Sequence, residues 1–233
     1  MVNAGKPSPG RAGRPRSGEE RLSRQTILEA ALRIVDTEGI EAMTMRRLAS
    51  TLGVNPMSIY HHLPNKAAVF AGLAELVFAQ LESSPPDDSI AWQDELKNAA
   101  EAYRDALRAH PNLALQVLSD TSAVSDVVVV TVEPFYRALD RAGAEPRQIF
   151  EAVNTIIDFI HGFSLGEASV RADTFELAPD LLTRVATLPP GKAPTLVRVV
   201  SELGTEGLAY DFSDGFTTGI AVLVAGIESH LGL

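Results

Sequence analysis

The sequence predicts an all-α chain, with a small N-terminal module of three short helices followed by a larger helical body. Three observations predict it. Apolar residues recur at i, i+3, i+4 and i+7 in successive stretches, which places them on one face of a helix. Glycine and proline fall between those stretches, where helices stop and start. Charge divides along the same line: residues 1–66 hold ten Lys/Arg against six Asp/Glu, net +4, and residues 67–233 hold ten against 24, net -14. A total charge of -10 by itself argues against nucleic acid, but a basic head on an acidic body does not.

Composition narrows the class further. An apolar share of 45% suits a globular protein, and 233 residues allow one domain or two. The absence of cysteine excludes a disulfide framework, a thiolate nucleophile and any Cys-based zinc or iron-sulfur site, and suggests a reducing compartment. No run of about 18 apolar residues, the length that could span a bilayer, appears. The Gly/Pro/Arg-rich start has no signal-peptide core. The expectation is a cytoplasmic chain without membrane contact and with no cofactor.

Residues 1–22 are too rich in Gly, Pro and Ser to bury a core and are expected to form a flexible basic arm. Within it, Gly13-Arg14-Pro15-Arg16 resembles the core of an AT-hook, whose arginines enter a narrow minor groove; a solvated tail is the competing reading. From Ser23 the helical period begins. Leu28, Ala31, Leu32 and Val35 form the stripe of helix one, and Gly39 ends it. Thr44 is an N-cap for a second helix carrying Leu48, Ala49 and Leu52, which Gly53 stops. Asn55 caps and Pro56 opens a third helix predicted through His62, closed by Leu63-Pro64. Asn65 caps a fourth, with Val69, Leu73, Leu76 and Val77 on one face.

Two short helices around a tight glycine turn, with a third packed across them, form a helix-turn-helix. The segments ILEAA (27–31), EGIEAMTMRRLA (38–49), LGVN (52–55) and IYHHLPNK (59–66) resemble the DNA-binding region of the TetR family over about 50 contiguous residues. That resemblance implies a helix-turn-helix domain at 23–69 and a helical ligand-binding and dimerisation domain at 70–233. It implies a homodimer on double-stranded operator DNA, released by a small-molecule inducer.

It also implies which residues read the DNA. Met57 and Ser58 fall at the groove-facing start of the recognition helix, Tyr60 and His61 reach phosphate or base edges, and Lys66 clamps the backbone. Thr44 and Arg46 come from the first turn of helix two, where a helix N-terminus and a cation suit a phosphate. Arg46 can instead read a base, and Arg46 and Arg47 read outside this motif would be ordinary solvated charges. His61 and His62 do not make a metal site, since successive residues on a helix do not face each other.

In the body, the breaker cluster Ser83 to Ser89 precedes a helix carrying Trp92, Leu96, Ala99 and Tyr103 and ending near His110-Pro111. Val127 to Val130 would suit a strand, but leads into Phe135, Tyr136 and Leu139 and reads as helix. Helices are expected at about 146–165 and 213–230, with short helices and loops between them around Pro179, Pro189, Pro190, Gly191 and Pro194. The first is apolar around much of its circumference, through Phe150, Val153, Ile156, Ile157, Ile160 and Phe163, and needs partners on more than one side. The resemblance implies that these two helices form a four-helix dimer interface; a monomeric core is the alternative.

Asn154, Asp158 and His161 share one stripe, and polar groups inside a bundle need partners. A ligand is one such partner, lined also by Trp92 and Tyr103; pairing within the stripe or across a dimer is the other, and Trp92 and Tyr103 read equally as core. The family's tetracycline-binding members use a His and a Glu for drug-bound magnesium. No His follows Tyr103 at the matching place and Gly166 stands where the Glu is expected, which counts against tetracycline. An enzyme is disfavoured because there is no Cys, no HExxH, no phosphate-binding loop and no dinucleotide glycine pattern. A helical interaction or ligand-binding module without DNA function is the alternative reading, and the intact 44–66 motif argues against it.

Overall fold

The computed structural model describes residues 22–79, 81, 89–113, 126–169, 174–176, 178–189 and 191–232. The basic arm with Arg14 and Arg16, and residues 83–88 of the breaker cluster, lie outside them.

The head forms as its capping residues dictate. Helix α1 (Arg24–Glu38) starts where the Ser23 side chain accepts the Thr26 N–H at 3.1 Å and stops at Gly39, whose φ of 84° a β-carbon would disfavour. A single 3₁₀ turn (Ile40–Ala42) leads to α2 (Met45–Leu52), which opens where Thr44 Oγ1 accepts the Arg47 N–H at 3.0 Å. Gly53 closes α2 in the left-handed region, at φ 66° and ψ 26°. Helix α3 (Pro56–Tyr60) is capped by Asn55, which accepts from the Met57 N–H at 2.9 Å. It is shorter than the sequence predicts: His61 and His62 form a turn, and the Leu63 N–H closes back onto the Ile59 carbonyl so that Leu63 is buried. Asn65 then caps α4 (Lys66–Phe78) by accepting from Ala68.

The body comprises α5 (Trp92–Ala109), α6 (Asp126–Thr131), α7 (Glu133–Arg141), α8 (Pro146–Ser169), α9 (Ala178–Ala186), α10 (Pro194–Gly207) and α11 (Phe212–Leu231). The valine run at 127–130 is helical, and α8 runs four residues past its expected end. Two three-residue strands, β1 (Thr174–Glu176) and β2 (Ala209–Asp211), pair antiparallel with Phe175 opposite Tyr210. They are too short to carry a visible alternation.

Side chains divide into two cores. The head core gathers Ile27, Leu28, Ala31, Ile34 and Val35 of α1 with Leu48, Ile59, Leu63 and the Val69, Leu73 and Val77 face of α4. The body core gathers Leu96, Ala100, Tyr103 and Leu107 of α5 with Phe135 and Leu139 of α7, Val153, Ile156 and Ile160 of α8, and Phe216, Ile220 and Val224 of α11. Helix α4 serves both, because Ala74 and Phe78 turn into the body core. Buried Glu95 ties α5 to α7 by accepting from Arg137 Nε at 2.7 Å and Arg141 Nη1 at 2.6 Å.

Helices α8 and α11 meet where Gly219 leaves room for Phe159; a β-carbon at Gly219 would lie 2.3 Å from the ring. Gly219→Ala is expected to lose about 1–2 kcal/mol in urea unfolding, because overpacking of about 1–3 kcal/mol outweighs a helix-propensity gain of about 1 kcal/mol. An unchanged or raised midpoint would mean that the ring moves aside freely.

Candidate functional site

Helix α3 is a short ramp with one apolar anchor. Ile59 is fully buried, which fixes the roll of the helix and leaves Met57 (62% exposed), Tyr60 and His61 on the outside, with Ser58 half-buried. His62 is exposed as well. Lys66 sits one short turn later, at the start of α4, with its Nζ 5.4 Å from the centroid of the Phe70 ring. The exposed side chains therefore project from the α3 helix, the turn that follows it and the start of α4.

The two arginines of α2 separate. Arg47 is held by Glu38, with Nε donating at 3.1 Å and Nη2 at 2.6 Å, and its Nη1 reaches Thr51 at 3.2 Å. That bidentate pair lowers the pKa of Glu38 and raises that of Arg47. Arg46 is exposed and makes no ion pair among the described residues. Of the pair, Arg46 is thus the cation left for an external phosphate or base, and Arg47 the one that fastens α2 to α1. Thr44 is exposed, but its hydroxyl oxygen already serves as the α2 cap.

In the body, Tyr103 and His161 are brought together. The Tyr103 hydroxyl and His161 Nε2 are 3.0 Å apart, with Tyr103 nearly fully buried and its ring also against Phe78. Burial pushes the phenol pKa up to about 12. Burial also pulls the His161 pKa down, against the opposing charge of Asp158. Both groups are therefore uncharged at neutral pH. One turn along α8, the Ser164 hydroxyl is buried with no hydrogen-bond partner among the described residues.

The other expected ligand residues lie elsewhere. Trp92 is half-buried three turns from Tyr103, about 16 Å along α5. Asn154 is exposed and its amide donates to the Phe150 carbonyl at 2.7 Å; Asp158 is exposed too. Gly166 stands beside Glu167, whose carboxylate is bound by Arg104 at 2.9 and 2.8 Å. Arg104 is itself buried, over the rings of Phe163 and Phe216. Among the described residues no group of three His, Asp or Glu is placed to hold a metal, and no helix is long and apolar enough to cross a membrane.

The stripe bearing Asn154 and Asp158 opens outward with uncovered apolar side chains, Phe150 at 58% and Leu165 at 38% exposure, and α11 leaves Val222 at 66%. Sequence reasoning missed Ser164 and Arg104, since neither carries a motif. It also missed residues 110–113, which return to the head: Leu113 is buried in the head core, Asn112 Nδ2 donates to the Val35 carbonyl at 3.0 Å, and His110 Nδ1 lies 3.0 Å from the Asp36 carboxylate. No periodicity marks such a contact.

The depressed His161 pKa makes stability depend on pH. The folded state holds fewer protons than the unfolded one between the folded value and the unfolded value of about 6.5, so stability is full above about pH 6.5 and falls as pH drops toward the folded value. His161→Gln should flatten urea midpoints measured across that window; an identical decline would place the pH dependence elsewhere.

Residues 27–73 match the family described as bacterial regulatory proteins, tetR family, and residues 84–231 match the tetracyclin repressor-like C-terminal domain. The chain is 30% identical over 210 residues to tetracycline repressor protein class C of Escherichia coli, covering 89% of this chain and 91% of that one. Its fold resembles Streptomyces coelicolor ActR in complex with actinorhodin, with TM-score 0.78 and 22% identity over 92% of this chain and 100% of that chain. It also resembles BioQ bound to its natural double-stranded DNA operator, with TM-score 0.62 and 25% identity over 89% and 98% of the two chains.

Proposed function

The chain belongs to the tetR family of bacterial regulatory proteins, and we propose that it acts as a cytoplasmic, dimeric repressor that a small molecule releases from a palindromic operator. The observation that carries this reading is the α3 corner, where one buried anchor, Ile59, sets Met57, Tyr60 and His61 outward between two capped helix starts. We assign base-edge and groove contact to Met57 and Ser58, and phosphate or base contact to Tyr60 and His61. Arg46, Thr44 and Lys66 fix register on the backbone, and Arg14 and Arg16 follow the minor groove. No cation lies between Pro56 and Leu63, so groove shape and methyl packing against Met57 share in specificity.

The effector reading centres on Tyr103 and His161, with Trp92 at the far end of α5. Asn154 and Asp158 face outward in one protomer and complete either the site or the interface once a second copy covers α8 and α11. The uncovered Phe150, Leu165 and Val222 support that copy, since isolated apolar side chains of this size gain by burial. Two α3 helices then meet half-sites about 34–36 Å apart, and an inducer preferring another spacing lowers affinity through a coupling of about 1–3 kcal/mol. No catalytic step is assigned to any residue.

Selection of bound fragments from a random DNA pool at fixed salt tests this reading. A palindrome with half-sites one turn apart is the expected result, and no enrichment by folded protein would overturn it. On that operator, Tyr60→Ala and Lys66→Ala should each weaken binding by about 1–2 kcal/mol without lowering the melting temperature, and Lys66→Ala should reduce the salt slope by about one. Unchanged affinity in both variants removes those contacts from the interface.

A further inference from the structure

We propose that His61 and His62 form a proton-dependent phosphate clamp, so that operator binding takes up protons and tightens as pH falls. The inference rests on the DNA-binding reading above. It also gives His62, which that reading leaves without a role, a place on the same contact surface as His61.

The two rings are held outward by a turn fixed at both ends. Ile59 before it and Leu63 after it are buried, and the Ile59 carbonyl accepts the His62 and the Leu63 N–H, each at 2.9 Å. Both histidines are exposed, and neither ring has a hydrogen-bond or ion-pair partner among the described residues. A neutral imidazole offers one donor and one acceptor, whereas the imidazolium offers two donors and a positive charge. A phosphate oxygen on the DNA backbone only accepts, so the protonated ring is the form that fits it.

The charges around this corner decide when the proton is taken up. On α2, which packs against α3, Arg46 is exposed without an ion pair among the described residues, and Arg47 is held by Glu38. On α4, Lys66 lies four positions after His62, and Glu75 is held by Arg24. Glu41 in the 3₁₀ turn is exposed and pairs with neither ring. Among the described residues, then, no carboxylate lies within ion-pair distance of either imidazole, and Arg46 and Lys66 oppose further positive charge. In the free protein the added proton has no acidic partner; the DNA backbone supplies one. A group protonated more fully in the complex makes affinity rise as protons are added. Imidazole is the side chain whose charge changes between pH 5 and 8. With no Lys or Arg between Pro56 and Leu63, these two residues are the ones in that segment that can become cationic.

The remaining histidines stand apart from α3 and its turn: His110 is on Asp36, His161 is on Tyr103, and His230 is in the last turn of α11. Substitution at 61 and 62 therefore isolates the corner.

The test is affinity of the full chain for the selected operator, read by fluorescence anisotropy from pH 8 to pH 6 at fixed ionic strength. The unsubstituted protein should bind about tenfold more tightly at pH 6, which corresponds to an average uptake of about half a proton per dimer over the two units. Its log–log salt slope should steepen over the same span by about 0.9 for each imidazolium that meets a phosphate. His61→Gln combined with His62→Gln should cut the pH effect below about twofold and remove the change in salt slope. Melting curves at each pH confine the comparison to folded protein, and a loss of stability toward pH 6 would weaken binding rather than tighten it. A flat profile in the unsubstituted protein, or an equal rise in the double variant, overturns the proposal. If the double variant binds too weakly to measure, the two substitutions are read singly, and two profiles as steep as the unsubstituted one overturn it. Failure to select any operator sinks the regulator reading and this proposal with it, whereas a pH-independent affinity sinks this proposal alone.

Discussion

Helix α4 is a wall with a hydrophobic core on each side. Val69, Leu73 and Val77, spaced by four, lie on one face and fill the head; Ala74 and Phe78, each one residue further, lie on the neighbouring face and fill the body. At 100° per residue a shift of one position is enough to change cores. Because one helix is buried on two flanks, the head cannot roll against the body without exposing apolar surface on one of them. The placement of α3 is consequently a property of the whole chain, since its anchor Ile59 is buried in the head core that α4 shares.

The body economises on charge in a way that leaves one neutral polar place. Glu95 is neutralised by Arg137 and Arg141, and Arg104 by Glu167 on one side and two aromatic faces on the others. Such pairs hold helices in register, since removing either member strands a buried charge. Tyr103, His161 and Ser164 differ: two are uncharged hydrogen-bonding groups that hold each other, and the third has no partner among the described residues.

The surface that remains open is as informative as the interior. Phe150, Leu165 and Val222 stay exposed on α8 and α11 while the opposite faces of those helices are packed in the body core. In the proposed dimer a second copy covering them would set the distance between two α3 helices, which would tie operator spacing to the geometry of α8 and α11. His161 lies on α8 as well, so the Tyr103–His161 contact and the uncovered Phe150 and Leu165 share one helix.

Caps and breakers made the head legible in the sequence. Ser23, Gly39, Thr44, Gly53, Asn55 and Asn65 each fix a helix end by a bond between near neighbours, and such bonds need no tertiary context. Helices α5, α8 and α11 were legible to within a few residues for the same reason, because periodicity and proline act locally, whereas α9 and α10 were legible only as short helices without bounds and the β1–β2 pair not at all. The sequence could also set Arg46 and Arg47 side by side, but only the folded chain put Glu38 against one of them and left the other exposed. Likewise the polar stripe of α8 is a true stripe, yet what its members face depends on α5, which turns Tyr103 onto His161 and leaves Asn154 and Asp158 outside. Leu113 in the head core, Asn112 on the end of α1 and the orphaned Ser164 were decided by tertiary structure alone. Contacts between residues so far apart in sequence are selected by packing and leave no period, cap or spacing in the chain to announce them.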